Sequence, residues 1–113
     1  MRYRVPKREF EFVLREVMNI EQLTQHPGYE EVTWEMLQMI TDQVAEIAED
    51  IWLPSNQIGD QIGAKFKEGE VTLPPEFHDA INAIRDTGLV TLFAHQEYGG
   101  MGFPTAFEVL GDE

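Results

Sequence analysis

The residues best placed to do chemistry lie together near the end of the chain. His95 and Glu97 flank Gln96, Tyr98 follows, and Gly99-Gly100-Met101-Gly102-Phe103-Pro104 completes the stretch. An imidazole near a carboxylate could move a proton, but acid–base work needs the two groups held in different environments, which spacing alone does not supply. The other two histidines, His26 and His78, have no partner at metal-ligand spacing. The chain contains no cysteine, which removes disulfides, thiolate zinc sites and cysteine nucleophiles together. It also lacks a nucleophile elbow, a P-loop and a GxGxxG turn after a strand. No residue is assigned a catalytic, cofactor-binding or metal-binding role on these grounds.

The backbone around these groups is more telling than the groups themselves. Gly99, Gly100 and Gly102 fall within four positions and a proline closes the run. Neither a helix nor a strand tolerates that pattern, so a folded loop is expected, in conformations that glycine reaches cheaply. The apolar run 89–93 should enter it as a short extended stretch, and residues 105–110 should leave it as the start of a helix.

The rest of the chain reads as helices that could position such a loop. Pro6 suits a helix start, and Phe10, Val13, Leu14 and Val17 form one i, i+3, i+4, i+7 stripe over residues 6–18, with Asn19 as the stop. Residues 21–32 are a connector with a turn at His26-Pro27-Gly28-Tyr29. Residues 33–53 form the longest helix, with Thr33 as N-cap and Leu37, Ile40, Val44, Ile47 and Ile51 as its core stripe, widened by Trp34, Met36, Ala48 and Trp52. Asp42, Glu46, Glu49 and Asp50 lie mostly on its outer face, and Pro54 should end or kink it. A short helix over 55–64 follows, then an exposed turn or small hairpin over 65–72 centred on Gly69. Leu73-Pro74-Pro75 opens another helix with Phe77, Ala80, Ile81 and Ile84 inward and Gly88 as its C-terminal glycine. The expected fold class is all-α: a small domain of four to five helices with one short turn or hairpin.

Charge limits the partners. The formal net charge is −13, and residues 19–64 carry nine acids and no base. Such a surface repels phosphate backbones, so nucleic acid is an improbable ligand. Five of the eight basic residues, Arg2, Arg4, Lys7, Arg8 and Arg15, occupy the first fifteen positions. They could meet an acidic patch on another subunit, but a solvated, loosely ordered start is the simpler expectation. No apolar run is long enough to span a bilayer, and no apolar segment follows the N-terminal charges as in a signal peptide. The chain reads as soluble and cytoplasmic.

Four motifs in order now carry a resemblance: Tyr3-Arg4-Val5-Pro6 with Phe12-Val13-Leu14-Arg15-Glu16-Val17; Ala45-Glu46-Ile47-Ala48-Glu49-Asp50 with Leu53-Pro54-Ser55-Asn56 and Gly59-Asp60; Pro74-Pro75-Glu76-Phe77 with Gly88-Leu89; and Glu97-Tyr98-Gly99-Gly100-Met101-Gly102-Phe103-Pro104. Together they resemble the N-terminal helical domain of FAD-dependent acyl-CoA dehydrogenases, especially the bacterial subgroup with an N-terminal extension. The resemblance implies one such domain over residues 1–113, with the family's β-domain and C-terminal four-helix domain, its FAD site and its proton-abstracting glutamate all outside this chain. It implies oxidoreductase chemistry on acyl-CoA, of the kind met in fatty acid metabolism, only for a complete enzyme, with no FAD held by this chain alone. Within the chain it points to the channel loop and following helix, Tyr98, Gly99, Gly100, Gly102, Phe103 and Phe107, as substrate-wall residues. The expected partners are the remaining domains of such an enzyme or a second copy of the chain. A free-standing helical interaction or dimerisation module is the alternative. Leu89 stands where relatives often carry tryptophan, and Gly111 weakens the last helix by about 1 kcal/mol relative to alanine.

Overall fold

The computed structural model describes residues 2–112. It is mostly helical, with one two-stranded antiparallel hairpin. Helix α1 (Lys7–Glu11) continues without a break into a π-helical stretch, Phe12–Val17, closed by a Met18 N–H to Val13 carbonyl bond of 2.9 Å. This widening changes which residues face inward. Leu14 is buried and Phe10 packs on the core, but Val13 and Val17 are exposed. A turn that holds an extra residue no longer keeps the 3–4 spacing on one face. Asn19, in the left-handed region at φ 48°, ends the element, and a 3₁₀ helix, Ile20–Gln25, fills part of the connector.

Helix α2 (Trp34–Ile47) begins as its sequence indicates. The Thr33 hydroxyl accepts the Met36 N–H at 3.3 Å, and Leu37, Ile40 and Ile47 are buried. Pro54 does not stop the helical path. A second π-helical stretch, Ala48–Trp52, leads straight into α3 (Leu53–Ile62), where Pro54 sits in the first turn. Proline has no N–H to give and is tolerated near a helix start. The hairpin pairs β1 (Lys65–Lys67) with β2 (Glu70–Thr72), matching Phe66 with Val71, through a turn at Glu68 (φ 53°) and Gly69 (φ 84°). Two successive positive φ values suit the right-handed twist of the strands. Helix α4 (Pro75–Thr87) ends on Gly88 in the left-handed region, φ 75°, as its position predicts.

The run after Gly88 is not extended. Leu89–Thr91 forms a 3₁₀ turn, with the Thr91 N–H bonded to the Gly88 carbonyl at 3.2 Å and the Thr87 hydroxyl accepting the Leu89 N–H at 3.2 Å. Among the described residues no strand lies beside it to accept an extended pairing, and the turn delivers Leu92 into the core instead. Helix α5 (Ala106–Asp112) closes the described chain and carries Gly111 within it.

The N-terminal residues are pinned, contrary to the loose start expected. Residues 2–6 have no regular secondary structure, and their pairings run antiparallel to the helical path from Asp42 to Asp50. Lys7 pairs with Asp42 at 2.8 Å, Arg4 with Glu49 at 2.6 Å and Arg2 with Asp50 at 2.8 Å, while the Val5 N–H donates to Glu49 Oε1 at 2.8 Å. The acidic face that met no base in local sequence finds its bases about 40 residues away. The basic start thus meets an acidic patch, but on its own chain.

One hydrophobic cluster forms the core: Leu14, Ile20, Val32, Trp34, Leu37, Ile40, Leu92, Phe103, Phe107 and Leu110. The overall form is a slab of 56 × 38 × 16 Å with a radius of gyration of 17.0 Å. A compact chain of this length would have a radius near 13 Å by the usual scaling. A slab this thin leaves much of its apolar surface in the open.

Candidate functional site

The glycine loop folds back on the turn that precedes it. The Gly102 N–H reaches the Ala94 carbonyl at 2.9 Å, the Phe103 N–H reaches the Leu92 carbonyl at 3.0 Å, and the Met101 N–H reaches the Thr91 carbonyl at 3.3 Å. Inside it a 3₁₀ turn, Gln96–Tyr98, is capped by His95 Nδ1, which accepts the Glu97 N–H at 3.3 Å, and ended by Gly99 at φ 86°. Gly100 is required for a different reason. A Cβ there would lie 2.0 Å from the Ala94 carbonyl oxygen, so the close approach of two backbones excludes any side chain.

The loop keeps His95, Glu97 and Tyr98 together at the surface and turns Phe103 and Phe107 into the core. His95, Glu97 and Tyr98 point to solvent, Tyr98 with 78% of its surface exposed. His95 and Tyr98 meet edge to face at 6.4 Å, and His95 Nδ1 lies 3.7 Å from Glu97 Oε2. His95 stands at the edge of a groove of about 470 Å³ that Gly102 and Phe103 line with Tyr29, Glu30, Val32 and Met101, while Glu97 and Tyr98 lie outside it. Phe107 is 1% exposed and meets Phe103 edge to face at 6.4 Å. It also lines a second groove of about 450 Å³. The Phe103–Phe107 pair therefore stands between the two grooves.

The second groove is walled by residues that their local sequence marks only as stripe or linker: Val44, Ile47, Trp52, Ile84, Val90 and Phe93. Trp52 also lines a third groove of about 320 Å³ with Leu73, Phe77, Ala80 and Ile81. Its indole N–H is satisfied inward by the Ala80 carbonyl at 3.0 Å, which leaves the ring itself half in the open. Trp52, Ile81, Val90 and Phe93 thus give the slab an apolar face between α2, α4 and α5. The one usable signal in the sequence was the unusual width of the α2 stripe at Trp52.

Among the described residues, no group of three His, Cys, Asp or Glu side chains could hold a metal ion, and no helix is long and apolar enough to cross a membrane.

No family model matches the chain. Over 104 residues, 92% of its length, it is 27% identical to a 3-methylmercaptopropionyl-CoA dehydrogenase from Ruegeria pomeroyi. The chain spans 18% of that relative's length. It is thus a distant, partial relative of an acyl-CoA dehydrogenase. Its own grooves do not suit a flavin dinucleotide: no lysine or arginine lines any of the three described above, while Glu30, Glu31, Glu108 and Asp112 would oppose a diphosphate.

Proposed function

We propose that this chain acts as the N-terminal helical domain of an acyl-CoA dehydrogenase, walling part of the acyl-CoA channel and packing on the domains that hold the flavin. The slab form with its open apolar face carries this reading. Trp52, Ile81, Val90 and Phe93 stay exposed along two apolar grooves that share Trp52, the kind of surface that another domain covers. The partial relationship to a much longer acyl-CoA dehydrogenase supplies the kind of cover. A net charge of −13 per chain weighs against a second copy as the occupant, since two such chains repel.

In this reading residues 1–113 form one helical unit, and Tyr98, Gly99, Gly100, Gly102, Phe103 and Phe107 contribute channel wall and not chemistry. Tyr98 stands out from the loop, where it can meet a neighbouring domain or the acyl thioester. FAD and the proton-abstracting carboxylate belong to the other domains.

A chimera tests this. Residues 2–112 replace the matching stretch of the Ruegeria pomeroyi enzyme, and a second form has that stretch deleted. The chimera is expected to retain flavin and oxidise acyl-CoA well above the deletion form. A folded, flavin-loaded chimera no more active than the deletion form would overturn the reading.

A further inference from the structure

We propose that the N-terminal arm is a splint for a hinge at Pro54: Arg2 supplies the hydrogen-bond donor that the proline lacks and thereby fixes α3, the hairpin and α4 relative to α2. The bonding register leads to this directly. In the π-helical stretch Ala48–Trp52 the Leu53 N–H bonds the Ala48 carbonyl, five residues back. The next bond in that series would run from residue 54 to the carbonyl of Glu49. Residue 54 is proline and has no N–H. The Glu49 carbonyl is left without its helical donor, and Arg2 Nη2 donates to that same oxygen at 3.0 Å.

The rest of the arm holds Arg2 in place. Arg2 Nη2 also bonds Asp50 Oδ1 at 2.8 Å, and the Glu49 carboxylate accepts from both Arg4 and the Val5 N–H. The Glu49 side chain, 12% exposed, is sheltered beneath these groups. Lys7 on Asp42 fixes the inner end of the arm. The arm thus joins both the main chain and the side chains of the turn where α2 gives way to α3.

That turn is the place where a splint would matter. No residue between 53 and 87 belongs to the main hydrophobic cluster. Within the outer segment Phe77 packs α4 on Gly59 of α3; to the rest of the molecule it is tied by the Trp52 indole on the Ala80 carbonyl, by Ile84 beside Val44 and Ile47, and by the chain itself where Leu89 and Leu92 enter the core. A proline-interrupted helix with one unmatched carbonyl is a natural point of bending. Trp52 lies in this turn and lines both apolar grooves, so bending there changes the shape of both.

The chain has no cysteine of its own, so two can be placed as unique spin-label sites: Met39→Cys on α2 and Lys67→Cys on the hairpin, both at exposed positions. The labelled parent should give a single narrow inter-label distance by pulsed electron resonance. Arg2→Ala should lose that single peak. Asp50→Asn, which removes the ion pair but leaves the carbonyl bond, should keep it. Pro54→Ala restores the missing N–H, so Arg2→Ala in that background should also stay narrow. An unchanged distribution in Arg2→Ala overturns the proposal. So does equal broadening in the Pro54→Ala background, which would show that Arg2 does not act through the Glu49 carbonyl. Broadening by Asp50→Asn as large as by Arg2→Ala would place the effect in the ion pair and overturn it as well.

Discussion

Two regions of this molecule are held together in different ways. The region formed by α1, α2, the glycine loop and α5 has the hydrophobic cluster, with Leu37 and Phe107 each 1% exposed. The region from α3 through the hairpin to α4 adds nothing to that cluster. Its only buried residues are Ser55, Gly59, Pro74 and Ala80, and every residue of the hairpin strands is exposed. The first region is stabilised mainly by buried apolar area, which is non-directional and summed over many contacts. The second is positioned by a few specific contacts at Gly59, Ala80 and Ile84, and by the Ala48–Trp52 turn on which the arm rests. A region of the second kind has a shape that depends on what lies against it, which fits an apolar face awaiting another domain.

Substitutions in the two regions should therefore have unequal reach. Phe107→Ala, in the middle of the cluster, is expected to destabilise the chain by about 3–5 kcal/mol. That is a large share of the stability of a small domain, and urea unfolding followed by circular dichroism will show it. Gly59→Ala brings a Cβ to 2.1 Å from the Phe77 ring. Overpacking of this kind costs about 1–3 kcal/mol, offset by about 1 kcal/mol because alanine is the better helix former. Faster amide exchange should appear in α3 and α4 and leave α2 and α5 unchanged. Equal loss of protection in both regions would mean that they are one cooperative unit.

Acid should act on the seam between the regions. The Val5 N–H and the Arg4 guanidinium hold the Glu49 carboxyl below its usual value of 4.5, with Lys7 adding to the pull. Arg2, Asp50 and Asp42 also face this cluster. A depressed folded value means that the contact contributes fully above the ordinary carboxyl range and is lost as pH falls through the folded value. An NMR titration should show protection of the Val5 amide falling at acid pH before α2 loses its own. In Glu49→Gln that step should be absent. The smallest effect belongs to the hairpin tip. Phe66, 74% exposed, should tolerate Phe66→Thr within about 0.5 kcal/mol, measured by the same urea unfolding.

Much of the fold was legible because its signals are local. Thr33 at the start of α2, Gly88 at the end of α4 and Gly69 in the hairpin turn each act through the backbone within a few residues, and the structure has all three features. The π-helical stretches were not legible. Over five or six residues an apolar pattern does not distinguish π from α winding, and only the bonds five residues back, Met18 N–H to the Val13 carbonyl and Leu53 N–H to the Ala48 carbonyl, reveal it. The apolar run 89–93 was misread because extended backbone needs a neighbouring strand, which a local pattern cannot supply. The docked arm depends on pairs between residues 35 to 48 positions apart.

The candidate site divides along the same line. The glycine loop was visible as a special backbone, and Gly99, Gly100 and Gly102 do have distinct backbone roles there. The grooves beside it were not visible, since Trp52 meets Val90 and Phe93 only where the π-helical stretch Ala48–Trp52 packs beside the run that follows α4.

The central claim is that the apolar face around Trp52 is covered by the flavin-binding domains of an acyl-CoA dehydrogenase. Hydroxyl-radical footprinting of Trp52, Val90 and Phe93, in residues 2–112 alone and in the flavin-loaded chimera, tests it most directly. Strong labelling in the isolated chain and marked protection in the chimera are expected, with exposed Phe66 as the internal reference. Equal labelling of Trp52 and Phe93 in both forms would contradict it.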